Sequence, residues 1–111
     1  DVDGVTVLAA QAGAADADAM REMGDWLRDK LGSAVVVLGG VFGDRPSLLA
    51  MVTQDLVERG YDAGDIVRAA ARPIGGGGGG RPQLAQAGGK DASKLADALE
   101  AAVAAVRDHK P

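Results

Sequence analysis

The sequence predicts a single domain of the α/β (α+β) class, in which a small mixed sheet of three to four strands packs with about three helices. With 111 residues, of which 47% are hydrophobic, the chain can build one core but has no room for a second. Short apolar runs and segments with apolar residues every three or four positions succeed one another, as strands and helices do in a mixed fold. We therefore treat residues 1–111 as one domain.

The first half of the chain predicts a strand, a helix and two further strands. Residues 5–10 form an apolar run suited to a buried strand, and residues 16–31 have helical spacing. Residues 34–38 contain three successive valines, which favour extended backbone, and residues 48–52 are a third apolar strand. The first two strands form a right-handed parallel unit, whereas the second and third form an antiparallel hairpin with a fairly long loop.

After the third strand the pattern becomes helical. Residues 53–59 predict a helical turn that Gly60 ends. Asp62 is suited to cap a helix that runs through residues 65–72, and Pro73 ends that helix.

The last third of the chain predicts a final helix. Residues 83–87 are either a short strand or an irregular segment, and Asp91 caps an alanine-rich helix. One apolar stripe on this helix is better explained as core than as an exposed interface. The stripe consists of Leu95, Leu99, Ala102 or Val103, and Val106.

Six consecutive glycines at residues 75–80 are the most informative feature of the sequence. Arg81 follows them at once, and Gly88 and Gly89 form a second glycine pair. Glycine leaves backbone N–H groups unshielded and adopts positive φ readily, so a glycine-rich loop can fold its amides around a phosphate. A flexible linker is the alternative, although the abrupt change to a patterned segment disfavours it. The run lacks the Gly-Lys-Ser/Thr ending of a P-loop, and no predicted strand leads into it as in a dinucleotide fingerprint.

Basic residues are concentrated around this predicted loop, although the whole chain carries a net charge of −4. Residues 66–94 contain five basic residues and one acidic residue, a net +4, which leaves −8 on the remainder. A basic region in an acidic body indicates a local anion site, and we expect Arg81 and Lys90 to lie together beside the amino end of the last helix. Alternatively, the cations lie on different faces of the fold. The five are Arg68, Arg72, Arg81, Lys90 and Lys94.

The residue types present exclude most catalytic and metal chemistry. The absence of cysteine rules out disulfides, thiolate metal sites and thiol nucleophiles. The single histidine, His109, is two residues from the end, and Asp16 and Asp18 are explained as helix caps. We therefore predict no catalytic residue, no metal site and no cofactor. With one Trp, one Tyr and one Phe, recognition by base stacking on aromatic platforms is disfavoured.

The sequence also bears on location. It contains neither a signal peptide nor an apolar span of 18 residues, so we expect a cytoplasmic protein without a membrane partner. The chain begins at Asp1 rather than at Met, which indicates a piece of a longer polypeptide.

The segment GGGGRPQLAQAGG, at residues 77–89, resembles the signature of the carboxy-terminal domain of bacterial-type alanyl-tRNA synthetases. That domain is grouped with the DHHA1 domains that accompany DHH phosphodiesterases. MVTQDL at residues 51–56 and AGDIV at residues 63–67 are similar to the strand, turn and helix that precede the glycine loop in the family. The resemblance covers essentially the whole chain and implies a DHHA1-like fold.

The resemblance implies a tRNA-binding accessory domain whose glycine-rich loop contacts the corner of the tRNA and supports aminoacylation and editing by the parent enzyme. The fragment would not be an enzyme, whereas its parent would be an alanine–tRNA ligase. Implied partners are alanine-specific tRNA, the rest of the parent chain and, in some relatives, a second copy. The predicted nucleic-acid-binding residues are Arg72, Gly78, Gly79, Gly80, Arg81, Gly88, Gly89, Lys90 and Lys94.

Two alternative functions remain open at this point. The first is the substrate-phosphate-recognising domain of a DHH-family phosphodiesterase. That branch usually has Gly-Gly-His, whereas Arg81 follows the glycines here and favours the synthetase branch. The second is a dimerisation module, which an exposed apolar stripe on the final helix would support.

Overall fold

The computed structural model describes residues 4–13 and 16–108, so His109 lies outside the described residues. The strands are β1 (Val7–Gln11), β2 (Val35–Phe42), β3 (Arg45–Val52), β4 (Gly77–Arg81) and β5 (Leu84–Gly88). The helices are α1 (Ala17–Leu31), α2 (Gln54–Glu58), α3 (Ala63–Ala71) and α4 (Leu95–Arg107), and a 3-10 turn at Ala92–Lys94 precedes α4.

The strands form one mixed sheet in the order β1-β2-β3-β5-β4. β1 and β2 are parallel, as predicted, because α1 connects them, and the other neighbouring pairs are antiparallel. The predicted mixed α+β fold is therefore confirmed, with five strands rather than three to four.

The additional strand comes from the glycine run, so the prediction of a loop at residues 75–80 is wrong for most of its length. Residues 77–80 belong to β4 and pair with β5. Glycine is depleted in strands, and the run therefore carried no strand signal. The fold nevertheless needs glycine here, because a Cβ on Gly78 would lie 2.2 Å from the carbonyl oxygen of Gln86.

The hairpin between β2 and β3 has a two-residue turn instead of the predicted long loop. Its residues, Gly43 and Asp44, have φ angles of 58° and 67°, as in a type I′ turn. This turn matches the twist of the flanking strands and lets both extend to the turn. Gly39 and Gly40, whose residue type suggests a turn, lie within β2, and Pro46 lies within β3.

Each face of the sheet is covered by different helices. α1 packs on β2 and β3 on one face, where Met20, Leu38 and Met51 are buried. α3 and α4 pack on the other face. The apolar stripe of α4 is buried there, as predicted for a core stripe. Its buried members are Leu95, Leu99, Ala102 and Val106.

Asp16 and Asp62 cap α1 and α3 as predicted, whereas Asp91 caps the 3-10 turn and not α4 itself, and Asp18 lies inside the first turn of α1. The carboxylate of Asp16 accepts a hydrogen bond from the amide of Ala19 at 2.8 Å, and Asp62 accepts one from Asp65 at 3.2 Å. Asp91 accepts from the amide of Ser93 at 3.1 Å, at the 3-10 turn before α4. These bonds satisfy amides that have no partner within the helix.

The described residues contain neither a candidate membrane span nor a candidate cluster of metal ligands. No helix among them has the length and apolarity needed to cross a membrane. Within residues 4–13 and 16–108, no three His, Asp or Glu side chains are grouped as metal ligands.

Gly77 and Gly78 provide a stability test for the close strand pairing. We expect Gly78→Ala to destabilise the domain by about 1–3 kcal/mol, because the added Cβ forces β4 away from β5. At Gly77 a Cβ has nothing within 4 Å, so Gly77→Ala should change stability by less than about 0.5 kcal/mol or raise it slightly. Urea denaturation of both variants measures the difference, and equal stabilities would contradict the close approach.

Asp55 provides a pH test for the junction between β3 and α2. Hydrogen bonds from the hydroxyls of Ser33 and Thr53 lower the pKa of Asp55 below its ordinary value. The resulting stabilisation is present above the pKa of Asp55 in the unfolded chain, and it is lost as the pH falls through the lower folded pKa. Ser33→Ala should raise the pKa of Asp55 and flatten the pH dependence of stability below about pH 4. Carboxyl NMR titration measures the shift, and an unchanged Asp55 titration would contradict this account.

Candidate nucleic-acid interface

The hairpin of β4 and β5 is the scaffold of the candidate interface. Gly77 pairs with Gly88 at one end and Arg81 with Leu84 at the other, with two residues in the turn. Among the described strands, β4 pairs with β5 alone and is therefore an edge strand. Alternate backbone N–H and C=O groups of an edge strand face away from the sheet. In β4, four of the five residues are glycines and leave these groups unshielded.

One side of this hairpin is covered and the other is open. α3 packs on β4 and β5, and Ala85 and Ala87 are buried on that side. Side chains alternate along a strand, so Leu84, Gln86 and Gly88 belong to the side on which α1 lies. There Gln86 and Gly88 are exposed, because α1 packs over β2 and β3. We call this solvent-facing side of β4 and β5 the open face.

At the turn end of the hairpin, the open face contains a cleft of about 340 Å³. Arg81 lines it from the end of β4, and Arg21 lines it from α1. Gly79 and Gly80 also line it. We call this the Arg81 cleft. The ion pairs found among the described residues include neither arginine.

At the other end of the hairpin lies a second cleft of about 300 Å³. Lys90 follows β5 and Arg45 begins β3, and both line this cleft with Ser47 and Gly88. The backbone of Lys90 is held in place, because its amide donates to the carbonyl of Ile74 at 2.8 Å. We call this the Lys90 cleft. Within residues 4–13 and 16–108, its two cations also form no ion pair.

The glycines between residues 75 and 89 fall into two groups when a Cβ is placed on each, apart from Gly79, whose Cβ would lie 3.3 Å from the guanidinium of Arg68. One group is required by the fold. A Cβ on Gly76, Gly78, Gly80 or Gly89 would lie within 2.6 Å of a backbone oxygen, and Gly75 has a φ of 68°. In the other group, a Cβ on Gly77 meets nothing within 4 Å, and one on Gly88 meets only the Pro46 carbonyl at 3.8 Å. The fold does not need glycine at these two paired, exposed positions.

The predicted site residues do not form one pocket, so the expectation that Arg81 lies beside Lys90 is wrong. The two residues are at opposite ends of the five-residue pairing of β4 and β5, which is about 14 Å long. The sequence did not decide whether residues 83–87 form a strand or an irregular segment. In the structure, β5 occupies most of this stretch and connects the glycine run to the last helix. Gly79, Gly80 and Arg81 line one cleft, and Gly88, Gly89 and Lys90 line the other. Gly78 lies in β4 between them.

The other cations of the basic segment do not line either cleft, although the guanidinium of Arg68 lies 3.3 Å from the position of a Cβ on Gly79. Arg72 lines a cleft between α3 and α4, the helices on the covered side of the sheet. Lys94 lies 4.0 Å from the carboxylate of Asp97. Arg68 forms an ion pair with Asp65 on α3. Arg72 and Lys94 are therefore not part of either cleft.

Arg21 and Arg45 are the functional candidates that sequence reasoning missed. Both lie outside the basic segment of residues 66–94, so a count along the chain does not detect them. Two features of the sequence beside these arginines could have indicated their positions. Arg21 follows the buried Met20 on the helix that covers the sheet, and Arg45 directly follows the Gly-Asp turn that starts β3.

Comparison with known proteins gives a consistent result. Residues 4–108 match the DHHA1 domain family. An alanine–tRNA ligase of Pelotomaculum thermopropionicum is 56% identical over 106 residues, which are 96% of this chain and 12% of the ligase. An alanine–tRNA ligase of Chloroflexus aurantiacus is 55% identical over 102 residues, which are 92% of this chain and 11% of the ligase. The chain thus spans about an eighth of the length of these relatives.

Solved structures agree with this match. The C-Ala domain of alanyl-tRNA synthetase from Aquifex aeolicus superposes with a TM-score of 0.77 and 27% identity, covering 90% of this chain and 89% of that domain. A DHH-domain protein assigned to a family of ribosomal proteins superposes with a TM-score of 0.54 at 18% identity, covering 78% of this chain and 20% of that one. The second likeness concerns the fold alone.

Proposed function

The chain belongs to the DHHA1 domain family, as a domain of the alanyl-tRNA synthetase type, and we propose that it is a tRNA-binding accessory domain of an alanine–tRNA ligase. In this role, the β4–β5 hairpin contacts the corner of alanine-specific tRNA. The contact supports aminoacylation and editing, which are carried out by other parts of a cytoplasmic parent enzyme. The domain itself binds and positions RNA and performs no chemistry.

The observation that carries this proposal is the pair of clefts on the open face. Each cleft lies at one end of the edge strand β4. Its cations have no ion-pair partner among the described residues, and they lie beside glycine backbone that no side chain shields. Arginine, lysine and backbone N–H groups are the groups that proteins use to contact phosphates. Such contacts position a sugar-phosphate chain without reading its bases, which suits recognition of RNA by shape.

The acidic composition is compatible with a tethered role. The net charge of −4 opposes nucleic acid at long range, so attraction must come from the few cations near the clefts. Weak intrinsic binding suffices when the partner is already held by the rest of an enzyme, because tethering makes the second contact intramolecular.

The alternatives have less support. In a phosphodiesterase of the DHH type, a histidine would follow the glycines, whereas Arg81 follows them here. A dimerisation role cannot use the apolar stripe of α4, because Leu95, Leu99 and Val106 are buried in the domain's own core. A dimer would need another surface.

Binding of alanine-specific tRNA to Arg81→Ala and Arg72→Ala variants tests the proposal. The first variant removes a cation from the open face and the second removes one from the covered side. We expect Arg81→Ala to weaken binding about 5- to 30-fold at low salt, equivalent to about 1–2 kcal/mol. It should also reduce the slope of log K against log[salt] by about one.

Arg72→Ala is the matched control, since it removes the same charge from the same 111-residue chain. It should leave both affinity and slope close to those of the unmodified chain. Equal losses for both variants would indicate a general charge effect and contradict a site on the open face. The absence of any salt-dependent tRNA binding by the unmodified chain would contradict the proposed function.

A further inference from the structure

We propose that the hairpin carries two separate phosphate-binding sites, each formed by one cation of the hairpin segment and one from a neighbouring element. Arg21 of α1 acts with Arg81, and Arg45 of β3 acts with Lys90. Arg21 and Arg45 are new binding residues in this assignment. The inference deepens the proposed function, on which the identification of the polyanion as RNA rests.

Both clefts bring like charges together. Each cleft is lined by two cations, and none of the four cations has an ion-pair partner among the described residues. Two cations that share a cleft repel each other, and an anion between them relieves this repulsion. The nearest acidic residue in sequence to Lys90 is Asp91, whose carboxylate is engaged with the amide and hydroxyl of Ser93.

The two clefts are separate from each other. They share no lining residue, and the ladder of β4 and β5, at whose two ends they lie, is about 14 Å long. One phosphate group cannot occupy both, so a polyanion that fills both clefts must present at least two phosphates. The five-pair ladder between β4 and β5 holds the two ends of the hairpin apart.

The floor of the Lys90 cleft, at Gly88, has no side chain. Gly88 lines this cleft between Arg45 and Lys90, and a Cβ on it would make only an ordinary contact, at 3.8 Å from the carbonyl of Pro46. Packing therefore does not explain why the position lacks a side chain. A side chain at Gly88 would instead occupy the space in which an anion meets the two cations.

Inorganic phosphate is a probe that does not depend on RNA. Titrated into the 111-residue chain, it should shift two sets of amide NMR signals, one at residues 79–81 and one at residues 88–90. Arg21→Ala should abolish the first set of shifts and preserve the second, whereas Arg45→Ala should do the reverse. Arg28→Ala is the matched control on α1, because Arg28 is ion-paired with Asp25. A single set of shifts, or shifts that survive both variants, would overturn the two-site inference.

Gly88→Val tests whether phosphate binding in the Lys90 cleft requires a position without a side chain, and it changes no charge. Valine is well accommodated in strands, so the fold should persist. We expect the phosphate-induced shifts at residues 89–90 to disappear while those at residues 79–81 remain. Undiminished shifts at both ends in a folded Gly88→Val protein would contradict the role of the cleft.

Alanine-specific tRNA then connects the two sites to the proposed function. Arg21→Ala and Arg45→Ala should each lower the slope of log K against log[salt] by about 0.7–0.9, and the double variant by about twice that amount. If tRNA binds and Arg81→Ala lowers the slope while Arg21→Ala and Arg45→Ala do not, the inference fails and the proposed function stands. If phosphate shifts both sets of signals and tRNA does not bind, the two sites stand and the proposed function fails.

Discussion

The close approach of β4 to β5 is the constraint on which the rest of this structure depends. A Cβ on Gly76 would lie 1.7 Å from the carbonyl oxygen of Gly88, and one on Gly80 would lie 2.6 Å from that of Leu84. No side chain fits such distances, so alternate positions of the strand must be glycine. The same constraint continues beyond β5, where a Cβ on Gly89 would lie 2.5 Å from the backbone oxygen of Ile74. Backbone contact thus joins the end of α3 to the start of the last helix.

This constraint also determines where ligand contact is possible. α3 fills the covered side of the hairpin with small residues, including Ala63, Ala70 and Ala71, which lets the helix approach the glycine strand closely. The opposite side receives no such helix, since α1 lies over β2 and β3. A strand that must be glycine for internal reasons consequently exposes bare backbone on its outer edge. The ends of the hairpin are the places where charged side chains can flank that backbone.

Much of the fold was predictable from the sequence because local signals and tertiary packing agree there. Valine-rich runs, capping aspartates and apolar helical spacing identified β2, α3 and α4 within a few residues. β4 was not predictable from periodicity, since a run of glycine has no apolar pattern and its pairing is decided by β5. The resemblance identified the family, and most of the motif residues do line the two clefts. The resemblance could not show that Arg81 and Lys90 lie far apart, because distance along the chain does not reveal that a hairpin places them at its opposite ends.

Two point contacts on a rigid hairpin offer a physical basis for shape recognition by an acidic domain. A single cation binds any phosphate and distinguishes little, whereas two cation pairs at a constant spacing favour only those surfaces whose phosphates match it. In the proposed role, the bare glycine edge between them adds backbone groups and no bulky side chain that would hold a sugar-phosphate chain away. The net charge of −4 weakens binding of polyanions elsewhere on the domain, since like charges repel. Selectivity would then come from geometry, with binding strength supplied by the larger protein that carries the domain.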